Sequence, residues 1–124
     1  MTKKIPSAFA SLCIALLVPS NVLAQEPPRS WLASPDVYKI IGENALYRII
    51  LGTWKPGQVD NQHSHTAGAI VYLTDCNIRH YPPAAAPVDT MFKAGEVRTI
   101  PAVPSHHVQN IGNADCQMMQ VEQK

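Results

Sequence analysis

Charge is scarce in this chain. Asp, Glu, Lys and Arg make up 15% of its 124 residues, ten basic against nine acidic, and no Lys or Arg cluster follows Lys3 and Lys4. That excludes the electrostatic footprint of a nucleic-acid binder or of a protein drawn to anionic lipid. Carboxylates fall mostly in turn-like segments, at Glu43, Asp60, Asp75, Asp89, Glu96 and Asp115, and no pair of them suggests glycoside hydrolysis. Sustained helical periodicity is missing, as is any internal repeat of the solenoid kind.

Only one apolar run is long. Ile5 to Val18 follows Lys3 and Lys4 and precedes Val22, Leu23 and Ala24, the layout of a secretory signal peptide with small residues at its cleavage point. The run is too short to cross a bilayer comfortably. Residues 1–24 are therefore expected to be removed, taking Cys13 with them, and the remaining protein to be periplasmic or secreted with no membrane attachment. What is left suffices for one small domain. Residues 25–36 read as a loose amino-terminal arm and 37–124 as the domain. Cys76 and Cys116 then remain in an oxidising compartment. They read as lying at opposite ends of the domain, which favours two inert thiols over a bridge, although a bridge stays open.

What the body does have is a succession of short β-branched or aromatic runs. They are Val37–Ile41, Leu46–Trp54, Val59–His65, Ala69–Leu73, Asn77–Tyr81, Thr90–Phe92, Val97–Ile100, His106–Asn110 and Cys116–Val121. Turn residues separate them, for example Lys55-Pro56-Gly57, Lys93-Ala94-Gly95-Glu96 and Ile111-Gly112-Asn113-Ala114. The pattern is all-β. Tyr81–Val88, rich in proline and alanine, is a surface loop and no central strand. Trp54, Met91, Met118 and Met119 are expected to fill the core.

Histidine carries the chemistry. On a strand, residues two apart share a face with Cα atoms roughly 6 to 7 Å apart, so His63 and His65 look the same way and Ser64 the other. A third imidazole, His106, lies on a later run, and three such groups on rigid strands make a divalent-metal site. His107 must face away from His106. His80 reads as equally suited to solvent or to the barrel mouth.

Two spacings resemble the paired motifs of the cupins. Gly57, five residues, His63-Ser64-His65 is similar to the opening of the first motif. Gly95, five residues, Pro101, four residues, His106, three residues, Asn110 is similar to the second. The chain most resembles the small secreted single-domain cupins. The resemblance implies an RmlC-like jelly roll, a double-stranded β-helix barrel of six to eight strands, in which His63, His65 and His106 hold a divalent metal and Asn110 has a structural role. It also departs from the family: the glutamate ligand of the first motif falls on Ala69, the glycine closing that motif on Cys76, and a glycine of the second on Val103.

Three neutral imidazoles leave a divalent ion its full double charge and open positions, which favours an anionic or chelating small-molecule guest. Iron, zinc, manganese, nickel and copper all remain open. Arg48 and Tyr72 are the candidates for binding that guest; Tyr47 and Arg48 have opposite parity, so only one of them can face inward. Two functions stay close to parity. One is a metal-dependent enzyme of dioxygenase or isomerase type acting on a small anionic metabolite, favoured by the open positions. The other is a non-catalytic module binding a ligand or the metal itself, favoured by the scarcity of acid and base residues. A homodimer joined through the first strands is a further expectation.

Overall fold

The computed structural model describes residues 1–2 and 25–124. Nearly all of the expected signal peptide therefore lies outside the described residues. The elements run α1 (Ser30–Ala33), β1 (Tyr38–Glu43), β2 (Tyr47–Trp54), β3 (His63–His65), β4 (Gly68–Tyr72), β5 (Cys76–Tyr81), β6 (Val88–Phe92), β7 (Val97–Ile100), β8 (Val103–Asn110) and β9 (Cys116–Gln123). Each expected run appears as a strand, one more than the upper end of the expected six to eight. The largest difference is β3. It keeps only the three residues from His63, while Val59 makes a single bridge to Gln109.

Two antiparallel sheets face one another, in the orders β1-β2-β9-β4-β7 and β3-β8-β5-β6. Folding one sheet over the other hides both inner faces and leaves few free edges. Register sets what lies between them. Opposite Ile50, Gly52 and Trp54 on β2 stand Gln120, Met118 and Cys116 on β9, and these positions point inward. The core comprises Val37, Tyr38, Ile50, Trp54, Tyr72, Val108 and Met118 with the two cysteines. Met118 and Trp54 thus fill the core as expected. Alternation sends Met119 to the outer face, and Met91 is 67% exposed, so neither joins them.

Gly57 and Gly95, the first residues of the two histidine-bearing motifs, both adopt positive φ, 76° and 83°. Each turns the chain into the segment that ends in a motif histidine, and a side chain there would be strained.

The arm is tied down where a loose segment is expected. Arg29 bridges Ser64 in parallel fashion, Ser64 donates to the carbonyls of Pro27 and Pro28 through its hydroxyl and amide, and Ser34 accepts from the Asn61 amide at 2.7 Å. These contacts satisfy the outer edge of β3, a strand too short to hold itself.

Cys76 and Cys116 form a disulfide, with Cα atoms 4.9 Å apart. The expectation of opposite ends fails because β5 and β9 belong to different sheets and both begin at the same end of the barrel. The bridge closes a loop of 40 residues, which corresponds to roughly 4 kcal/mol of lost unfolded-state entropy. A Cys76→Ser, Cys116→Ser double variant is expected to lose about that much in chemical denaturation followed by circular dichroism. A loss under about 1 kcal/mol would show that the sheets need no covalent link.

Candidate metal centre

His63 on β3 stands directly across from His106 on β8, so both side chains leave the inner face at the same level. The register then slips, pairing His65 with Val103. Pro104, which has no amide hydrogen to offer, sits where the ladder skips. The three rings form a near-equilateral triangle with centroid separations of 4.6, 4.5 and 4.9 Å. One ligating atom from each lies within 4.8 Å of the others, and His63, His65 and His106 are 0%, 5% and 8% exposed.

Each ring has its outer nitrogen engaged. His63 Nδ1 donates to the Asn61 carbonyl at 2.7 Å. His65 Nδ1 donates to Glu122 Oε1 at 2.5 Å. His106 Nδ1 meets His80 Nε2 at 2.5 Å. An imidazole that spends its hydrogen outward presents a lone pair inward. The consequence is visible between His63 and His65, whose Nε2 atoms face each other at 2.9 Å. Two lone pairs at that distance repel unless a cation or proton lies between them. His106 Nε2 is buried with no hydrogen-bond partner among the described residues. The donor set fits a divalent ion held by three imidazole nitrogens.

The surroundings came from residues the sequence reading left aside. Asp60, expected in a turn, is buried beneath His63 and accepts from the Tyr38 hydroxyl at 2.7 Å, Trp54 Nε1 at 3.1 Å and the Val108 amide at 2.7 Å. Burial pushes its carboxyl above the usual range, against those three donors. Buried Tyr and Trp each need a partner for their polar tip, and that need was the available sign that an acid lay within. Tyr38 gives its proton to Asp60, and its oxygen is 3.2 Å from His63 Nε2. Burial and then the Asp60 charge raise its hydroxyl pKa well above the ordinary value, so Tyr38 stays neutral.

Glu122 stands beside the position where the resemblance expects a carboxylate. Ala69 points to the outer face. Its inward neighbours are Gly68 and Ile70, which pair with Glu122 and Gln120 on β9. Glu122 is 1% exposed and takes a second hydrogen bond from Gln120 Nε2 at 2.8 Å. It grips the far nitrogen of His65 where the family glutamate would face the metal. Glu122 Oε2 and Gln120 Oε1 are left without partners among the described residues.

A chamber of about 400 Å³ opens beside the centre, and His65, His80 and His106 form part of its wall. His80 therefore approaches the barrel interior. Tyr72 lines the chamber and stacks on Phe92. Arg48 does not reach it. Although in register with Glu122, its guanidinium lies over Trp31, 4.3 Å from the ring centroid, and bonds Glu43 at 3.1 Å, because α1 covers that end of β2. His107 faces the opposite way and stacks on Tyr81. Asn110 donates to the carbonyls of Trp54 and Ala114 and accepts from the Gly112 amide, closing the turn into β9.

No protein-family model and no curated protein sequence matches the chain. Solved structures do. A cupin domain from Bordetella pertussis Tohama I superposes with a TM-score of 0.66 at 18% identity, over 82% of this chain and 99% of that one. This chain has the cupin fold. An RmlC-like cupin family protein with a double-stranded β-helix fold from Methanocaldococcus jannaschii gives a TM-score of 0.58 at 14% identity over 70% and 78% of the two chains. A Cupin 2 conserved barrel domain protein from Salinispora arenicola gives 0.52 at 19% identity over 90% and 88%. At these identities the likeness concerns the fold, and the centre of this chain rests on its own geometry.

Two outcomes follow. Replacing Glu122 by Gln removes the charged acceptor that orients His65, and metal affinity is expected to fall about 10- to 100-fold, read by competition with a colorimetric chelator. Unchanged affinity would make Glu122 a structural acid only. Burial, then the neighbouring His65, lowers His63 to about 4, and burial lowers His106 to about 2. Between these values and 6.5 the unfolded chain binds protons that the folded metal-free chain refuses, so stability falls as pH drops below about 6.5. The limiting slope is roughly 1.4 kcal/mol per pH unit for each histidine, with Asp60 acting in the opposite sense. Thermal melts of chelator-treated protein at pH 7.5 and 5 check it, and a flat profile would contradict the burial of neutral imidazoles.

Proposed function

We propose that this cupin is a divalent-metal protein of the periplasm or extracellular space, acting on a small molecule whose anionic or chelating group meets the metal at His63, His65 and His106. The observation that carries the reading is the convergence of three Nε2 atoms whose Nδ1 partners are already committed. Export is supported by the charged start, apolar run and Ala24 of the sequence, and by a disulfide that an oxidising compartment would preserve.

A metal held by neutral imidazoles supplies Lewis acidity or, if redox-active, electron exchange with a bound partner. The residues around it hold and exclude. Asn61, Glu122 and His80 keep the three rings oriented, and Asp60 keeps the Tyr38 proton turned away from the centre. The β-sheets exclude water from His63. Because the chamber reaches the centre beside His65 and His106, a guest would approach on that side. That approach favours an enzyme of oxygenase or isomerase type. A non-catalytic binding module is the second reading, favoured by the lack of any carboxylate on the chamber wall among the described residues.

Elemental analysis of protein purified from the periplasm without chelator is expected to find near-stoichiometric divalent metal, lost in a His63→Ala, His106→Ala double variant. Metal in neither, even after reconstitution with iron, zinc, manganese, nickel or copper, would refute the metal reading. Oxygen uptake by the iron-loaded protein with a bound guest would separate enzyme from binding module.

A further inference from the structure

The walls of the chamber beside the three histidines are mostly apolar, with Thr90 and Gln120 as uncharged polar residues among them. Ile70, Tyr72, Ile78, Phe92, Val108 and Met118 converge on it from both sheets, and among the described residues no Asp, Glu, Lys or Arg lines it. Tyr72 and Phe92 both line it and stack with centroids 4.1 Å apart and planes 7° from parallel, so each ring covers one face of the other. Burial pushes the Tyr72 hydroxyl up to about 12, which keeps it uncharged. Arg48, the one cation with inward parity on β2, is held away by Trp31 and Glu43. The imidazoles on its wall are those of His65, His80 and His106.

A ligand with charges along its body would lose hydration on entering and find no partner there. A ligand with an apolar body would gain from burial along its whole length. At the histidine end the demand reverses, since neutral imidazoles leave a divalent ion uncompensated. We propose that the chamber selects a small molecule of split character: a flat or bulky apolar body seated among Ile70, Ile78, Val108, Met118 and the stacked Tyr72–Phe92 pair, and a single anionic, chelating end at the histidines. This rests on the metal-binding reading above and narrows its substrate class, excluding small polyanions and sugar-like molecules with polar groups on all sides. The volume of about 400 Å³ falls within the range of small-molecule sites.

The test holds the chelating end constant and varies the body. Acetohydroxamate, benzohydroxamate and 4-carboxybenzohydroxamate are titrated by calorimetry into metal-loaded protein whose metal content has been measured on the same sample. Benzohydroxamate is expected to bind at least fivefold tighter than acetohydroxamate, and the 4-carboxy compound to lose that advantage. Val88 lines the chamber yet is 54% exposed, so Val88→Asn should fold normally and keep its metal. It is expected to weaken benzohydroxamate while leaving acetohydroxamate unchanged. A preference below fivefold, or equally tight binding of the 4-carboxy compound, by protein that holds its metal would overturn this inference alone. Protein that holds no metal would overturn it together with the function proposed above.

Discussion

An imidazole has two nitrogens and carries one hydrogen when neutral, so what its outer nitrogen touches decides what its inner nitrogen can do. In this protein the Asn61 carbonyl and Glu122 settle that choice for His63 and His65, and His80 engages the outer nitrogen of His106. The arrangement costs something. A carboxylate almost wholly buried has one oxygen without a partner among the described residues, and a pair of ring nitrogens faces across 2.9 Å. A cation at the centre relieves the second of these, and holding His65 explains why the first is kept. The short β3 persists for a related reason, since the N-terminal arm meets the polar groups on its outer edge and frees its inner face for histidines.

The two sheets divide the work. β3, β8 and β5 carry His63, His65, His106 and His80 within one four-stranded sheet, where cross-strand register fixes their spacing. The five-stranded sheet brings the supports, Glu122 and Gln120 on β9 and Tyr38 on β1, together with Ile70, Tyr72 and Met118 on the chamber wall. A scaffold of this kind lets the wall change without moving the ligands. That separation is why the likeness to solved cupin structures speaks to shape alone.

Much of this was legible beforehand. Period-two runs and turn residues mark out the strands, and an HxH with a distant histidine marks the centre, because strand geometry leaves those side chains little freedom. β9 was not legible in the same way. In Cys116–Gln123 both Met118 and Met119 are expected in the core, yet Met119, like Val121, pairs across the outer face with Leu51 and Ile49, while Met118, Gln120 and Glu122 point inward. Hydrophobic alternation assumes that the inside is oily, and it inverts wherever the inside holds a polar centre. Asp60 escaped for a different reason. Its segment has the composition of a turn, and only the positions of Tyr38, Trp54 and the Val108 amide make it an interior acceptor. The disulfide was hidden by topology, since sequence distance says nothing about which ends of which strands meet.

The disulfide has a mechanical meaning for the chamber. It fastens one sheet to the other where β5 and β9 begin, while His65 and Glu122 clasp them again toward the far end of β9. Two plates pinned at one end can part only by pivoting, with displacement smallest at the pin and largest at the rim. His63, His65, His80 and His106 ride on the same plate, so such a pivot would leave their mutual distances unchanged and would be felt first at the clasp. The grip of Glu122 on His65 is thus where the width of the chamber and the set of the three clustered histidines become one variable.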